Sequence, residues 1–238
     1  SATESGLLIH LEPFDSNKSY QSRLARRGGS FFLYSSEKSP VSLPIIFENS
    51  SMTKTAAQRR LFTVSDYYKM AEAGILSPDD RVELIRGEIL KKWRKSSQHA
   101  GTVNHLAKLA ILALHEKAVV SVQHPMSIND YSEPEPDIVV AKRRKDMYRS
   151  AHPRPEDVFL LIEVAADSSL AFDRKVKTPL YAQAGIPEYW IVNLNDRQIE
   201  IFRSPAEGEY QKKQIVKHTE TAVCSTIEFS VAADKLFL

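Results

Sequence analysis

The sequence predicts an α/β fold, a mixed sheet flanked by helices with an added hairpin on its N-terminal side. Three observations predict it. Apolar residues recur at helical spacing between His99 and Leu114, a series of short apolar runs follows, and a second helical stretch leads into the apolar run Tyr189-Trp-Ile-Val192. Helix, several strands, helix, strand is the order of helices packed on a sheet.

Residues 1 to about 51 read differently, with serine-rich stretches, Gly28-Gly29, Pro40 and Pro44, and little sustained periodicity. They are expected to form a loosely ordered extension. Met52 resembles a translation start, and Arg23, Arg26 and Arg27 faintly suggest a transit peptide, against which Glu4, Glu12 and Asp15 argue. The remaining residues, 52–238, are expected to form the main domain.

Each element of that domain has a local cause. Thr63-Val-Ser-Asp66 before Tyr67 to Ala73 and Gly74 reads as a capped helix closed by glycine. Ser77-Pro-Asp-Asp80 suits a helical turn with a capping box. Arg81 to Ile85 and Glu88 to Leu90 flank Arg86-Gly87, the pattern of a tight hairpin with a positive φ at Gly87. His99, Val103, Leu106, Ala110 and Leu114 form the stripe of one long helix over residues 98 to about 117. Strands are expected at Val119 to Val122, Met126 to Ile128, Ile138 to Ala141, Phe159 to Val164, Tyr189 to Val192 and Gln198 to Phe202, with a helix near Leu170 to Ala184 closed by Gly185.

Composition excludes more than it assigns. A net charge of +2 over 238 residues describes no strongly basic nucleic-acid binder, so positive charge would have to be gathered locally, as in Lys142-Arg-Arg-Lys145, which is equally a solvated turn. A single cysteine, Cys224, excludes an intrachain disulfide, and no Cys/His spacing builds a zinc site. No window is apolar enough for a membrane helix and no secretory signal opens the chain, so a cytoplasmic setting without a membrane partner is expected.

The chemistry concentrates between Pro136 and Lys177. Glu163 follows the apolar run Val158 to Ile162, and burying its charge there would cost several kcal/mol unless it is paired, protonated or bound to a metal. Asp137, at the start of another apolar run, would supply a second oxygen ligand to a hard divalent cation if the two strands are neighbours. Alone, Asp137 is an ordinary turn residue and Glu163 a candidate for a structural ion pair. Lys175 and Lys177 lie on opposite borders of the apolar face of the following helix, and geometry does not choose between them. Pro179 would kink that helix or restart it with Thr178 as cap. His99 is a core residue or a group that orients water, phosphate or metal. Glu83 is an exposed hairpin residue or a secondary catalytic candidate. Trp190 and Cys224 are most simply core.

Several segments together resemble the Uma-two family, a bacterial group described as restriction endonucleases within the PD-(D/E)xK nuclease superfamily. They are Phe62 to Leu76, Arg81-Val-Glu-Leu-Ile-Arg-Gly-Glu-Ile, His99, Pro136-Asp-Ile-Val-Val, Leu161-Ile-Glu-Val and Tyr181 to Val192, in that order from Leu61 to about Phe237. The resemblance implies a restriction-endonuclease-like fold, with Asp137 and Glu163 as the metal-binding pair and Lys177 as a lysine moved from the usual position, here Ala165, to the next helix. Asp167-Ser-Ser and Pro179 depart from the family pattern and remove no catalytic group.

The expected function is a Mg²⁺-dependent endonuclease acting on DNA, with Mn²⁺ as a substitute, in which Asp137, Glu163 and Lys177 act and His99 and Glu83 assist. Cleaving both strands would suit a homodimer. Two other readings stand beside it: a nucleic-acid-binding or regulatory module on the same fold, and a hydrolase of a small phosphorylated substrate.

Overall fold

A computed structural model describes residues 23–27, 30–34, 59–77 and 79–237. The chain divides into two compact units, Ser1–Ala57 and Gln58–Leu238. In the first, β1 (Arg23–Arg27) pairs antiparallel with β2 (Ser30–Tyr34), Arg27 opposite Ser30. The composition of the extension gave no sign of this strand pair.

The second unit opens with α1 (Val64–Glu72). Thr63 caps it reciprocally: its hydroxyl accepts from the Asp66 N–H and the Asp66 carboxylate accepts from the Thr63 N–H, both at 3.1 Å. The helix therefore starts at Val64, earlier than the sequence pattern indicates. Residues 77–80 close a turn through Ser77 and Asp80 and start no helix; Pro78 lies outside the described residues. The hairpin is β3 (Val82–Ile85) with β4 (Glu88–Lys91). Arg86 (φ 51°) and Gly87 (φ 78°) both lie in the left-handed region, the two-residue turn whose twist matches its strands. A Cβ at Gly87 would lie 2.6 Å from Leu61 Cβ, so only glycine fits both the dihedral and the space.

After α2 (Ser97–Leu114) come β5 (Ala118–Val122), β6 (Ile138–Lys142), β7 (Val158–Ala165), α3 (Asp167–Phe172), a π-helical turn Asp173–Lys177, α4 (Thr178–Gln183), β8 (Glu188–Asn193), β9 (Gln198–Ala206) and β10 (Glu209–Lys217). A last pair, β11 (Thr221–Val223) with β12 (Ser230–Ala232), closes the chain. One six-stranded sheet runs β10-β9-β8-β7-β6-β5, antiparallel throughout except for the parallel β7–β8 pair. This is the mixed sheet expected. Met126 to Ile128 forms no strand: the Met126 and Ile128 N–H groups donate to the Pro134 and Ser132 carbonyls, folding the segment back on its own loop.

Alternation along β7 divides the core. Leu160, Ile162 and Val164 face α2 and the C-terminal residues Phe229, Val231 and Leu236, while Leu161 and Ala165 face Ile85, Leu180, Tyr181 and Ile186. Glu163, two residues from Leu161, belongs to this second face. Trp190 and Cys224 are core as expected, the indole N–H donating to Glu188 Oε1 at 2.6 Å.

Candidate functional site

The register of β6 and β7 brings two carboxylates together. Ile138 stands opposite Ile162, so the next residues outward, Asp137 and Glu163, face each other across the antiparallel pair. Opposed residues on such strands project from the same face. Each carboxylate also accepts from the neighbouring strand: the Asp137 N–H donates to Glu163 Oε2 at 3.3 Å, and the Val164 N–H to Asp137 Oδ2 at 3.0 Å.

A lysine reaches Glu163 from the helix that follows. Lys177 Nζ donates to Glu163 Oε1 at 2.8 Å and lies 3.4 Å from Glu83 Oε2, with 6% of its side chain exposed. Lys175 is exposed. The π turn accounts for the difference. Thr178 returns both its N–H and its hydroxyl to the Asp173 carbonyl. Pro179 is the second residue of α4, where a missing N–H costs little. The helix thus passes the proline without breaking and keeps Asp173 and Lys177, four residues apart, on one buried side.

The remaining oxygen of Asp137 is ringed by donors. Gln123 Nε2 donates to Oδ1 at 3.0 Å, His99 Nε2 lies 3.2 Å away and Lys95 Nζ 3.5 Å. The Ser96 hydroxyl caps α2 by accepting from the His99 N–H, which holds the imidazole at the helix entrance. Tyr181 donates its hydroxyl to Glu163 Oε1 at 3.0 Å, and Glu83 accepts from the Glu135 N–H at 3.2 Å.

These contacts push the acids apart. Burial raises the Asp137 carboxyl, but His99, the Val164 N–H and Lys95 outweigh it and hold it at about 2. Burial raises Glu163 against the pull of Lys177, and Asp137 and Glu83 add to the rise. It raises Asp173 furthest, well above the usual carboxylate range, with Glu163 adding repulsion. Burial disfavours the charged Lys177, yet Glu163, Glu83 and Asp173 more than compensate and its ammonium persists well above the ordinary lysine range. Lys95 moves the other way: burial lowers it.

Asp137, Glu163, Lys177, His99 and Glu83 therefore line one cavity of about 150 Å³. Glu83 is buried, which corrects its reading as an exposed hairpin residue: its alternation on β3 turns it toward Lys177. The sequence reading missed Asp173, Lys95, Gln123 and Tyr181. Asp173 carries no apolar-run signal, and the π turn that buries it is invisible to a search for 3.6-residue periodicity. Glu188 and Glu200 limit what burial alone conveys. Both are fully buried in strands, yet Glu188 is held by Arg203, Ser225 and Trp190, and Glu200 by Arg174 and Lys213, as structural ion pairs.

Among the described residues no three His, Cys, Asp or Glu side chains form a ready metal cage. Two facing carboxylates still suit Mg²⁺, which usually takes one or two carboxylates and completes its shell with water and phosphate oxygens. Each carboxylate offers about four lone-pair sites, so the hydrogen bonds above leave acceptor capacity on both.

Residues 64–234 match the Uma2 family, described as "Putative restriction endonuclease". A solved structure described as a "putative nuclease belonging to DUF820" from Anabaena variabilis ATCC 29413 superposes with a TM-score of 0.57 at 14% identity, covering 74% of this chain and 97% of that one. At that identity the likeness is one of fold. No curated protein matches the chain.

Proposed function

Since the chain belongs to the Uma2 family, we propose that it is an endonuclease that hydrolyses phosphodiester bonds in DNA with a divalent cation, Mg²⁺ or Mn²⁺ in its place, held by Asp137 and Glu163. The observation that carries this reading is the opposition of the two carboxylates across β6 and β7, with the Lys177 ammonium 2.8 Å from one of them. A cation bound there would lower the pKa of water and offset charge on the phosphate.

The chain's own groups divide the remaining work. Lys177, charged and desolvated, orients an attacking water and stabilises negative charge growing on the phosphate. Glu83 and Tyr181 fix Lys177 and Glu163 in place through contacts of 3.4 Å and 3.0 Å. His99 and Gln123 hold the Asp137 carboxylate through contacts to Oδ1 of 3.2 Å and 3.0 Å. Cleavage of both strands needs two such sites, for which a homodimer is the simplest arrangement.

One observation favours a second reading, a binding or regulatory module without catalysis. The carboxylates already have protein partners, Glu163 and Glu83 in Lys177 and Asp137 in Lys95 and His99. Such a network is satisfied without an ion. Incubation of supercoiled plasmid with the full chain separates the two readings. Nicking in Mg²⁺ that stops in EDTA and is lost in Glu163→Gln supports the nuclease. Binding without nicking in either buffer supports the module.

A further inference from the structure

Trp93 has no part in the chemistry above, yet it lines the same cavity as Asp137 and Glu163. It stands on the connector between β4 and α2 and keeps 40% of its surface exposed. Its ring rests on Phe172, centroids 5.1 Å apart and planes at 58°, so it is braced while still open to solvent. Arg94 and Lys95 follow it in sequence and line the cavity with it, and Lys92 before it is paired with Glu135 at 2.6 Å. Lys95 Nζ, 3.5 Å from Asp137, brings this basic connector to the edge of the acidic pair.

Cations that follow a phosphate backbone, interleaved with an aromatic face, are the equipment with which proteins hold a single strand. A base inside an intact duplex has both faces covered by its neighbours. An indole at the cavity rim meets an open π face on a base that has left that stack, whereas insertion into a duplex must first unstack a base step.

We infer that Trp93 is a stacking platform for an unpaired base of single-stranded DNA beside the acidic cavity, and that the chain prefers single-stranded DNA to intact duplex. The preference deepens the nuclease reading and rests on it for the bond that is cut. Binding itself is independent of cleavage.

The test uses the full chain in EDTA with oligo-dT of about 12 nucleotides, a length within single-strand site sizes, and a duplex of equal length. The sequence holds two tryptophans. Trp190 is fully buried, so quenching of indole fluorescence by the oligonucleotide reports on Trp93. The expected result is quenching by the single strand and tighter binding of it than of duplex, by anisotropy of a labelled oligonucleotide. Trp93→Ala should weaken single-strand binding about 5- to 150-fold, the range for loss of one stacked base, and leave duplex binding little changed. Trp93→Phe, which preserves both a π face and the contact with Phe172, should keep most of the affinity. Unchanged single-strand binding by Trp93→Ala, equal losses in the Ala and Phe variants, or duplex bound as tightly as single strand would each overturn the inference. A chain that stacks oligo-dT on Trp93 but never nicks plasmid in Mg²⁺ supports the platform and removes the nuclease reading. One that nicks plasmid while Trp93→Ala binds single strand normally does the reverse.

Discussion

Asp137 donates its backbone N–H to Glu163 Oε2 at 3.3 Å, while the residue after Glu163, Val164, returns its own N–H to the Asp137 carboxylate at 3.0 Å. The backbones of β6 and β7 thereby set the spacing of the two acids. Lys177 then meets Glu163 at 2.8 Å from a separate element.

The assignment of the lysine follows from this arrangement. Lys177→Ala should abolish nicking, whereas Lys175→Ala, which alters an exposed residue, should keep most of it. Removing Lys177 leaves Glu163 and Glu83 buried without their cation, so the variant should lose about 3–5 kcal/mol in EDTA. Mn²⁺ should return part of that stability, since a bound cation takes over the neutralisation. Urea unfolding with and without Mn²⁺ measures both effects, and an inactive Lys175→Ala variant beside an active Lys177→Ala variant would refute the assignment.

The acids of the cavity predict opposite pH dependences. Asp137, ordinarily near 3.8, is held at about 2 in the fold. Its contribution to stability is therefore present above about 3.8 and lost as pH falls toward 2. In EDTA, Asp137→Asn should show a shallower acid limb, by roughly 2 kcal/mol in total. Asp173 has the other sign. Its folded value is raised well above 3.8, so its contribution is full below that value and lost as pH rises through the folded one. Asp173→Asn should therefore gain stability relative to the natural chain as pH rises above 3.8. Parallel curves for chain and variant would rule out a buried, protonated Asp173.

The extension is predicted to be dispensable for the main domain. A chain beginning at Met52 should keep a single cooperative unfolding transition, read by circular dichroism on heating. Loss of that transition would mean that residues 1–51 supply core contacts.

Much of this site can be read from the chain because strand chemistry is local. Pro136 before Asp137, the apolar run before Glu163 and the Arg86-Gly87 turn each carry their own physical signature, and β3, β4, β6 and β7 form where those signatures stand. The rest depends on what folding brings together. Asp173 and Lys95 look like ordinary polar residues until the π turn and the β4–α2 connector bring them to the cavity. β10 escapes an alternation search because, as an edge strand rich in lysine and glutamine, it is mostly exposed. Met126 and Ile128 are apolar because they pack on the second core face, without pairing into the sheet.

A shared divalent cation between Asp137 and Glu163 would be visible in a crystal soaked in Mn²⁺. The expected result is an anomalous peak between the two carboxylates, with an oxygen of each at about 2.0–2.2 Å, that vanishes in Glu163→Ala crystals. A peak bound by one of them alone, or none in the cavity at millimolar Mn²⁺, would contradict it.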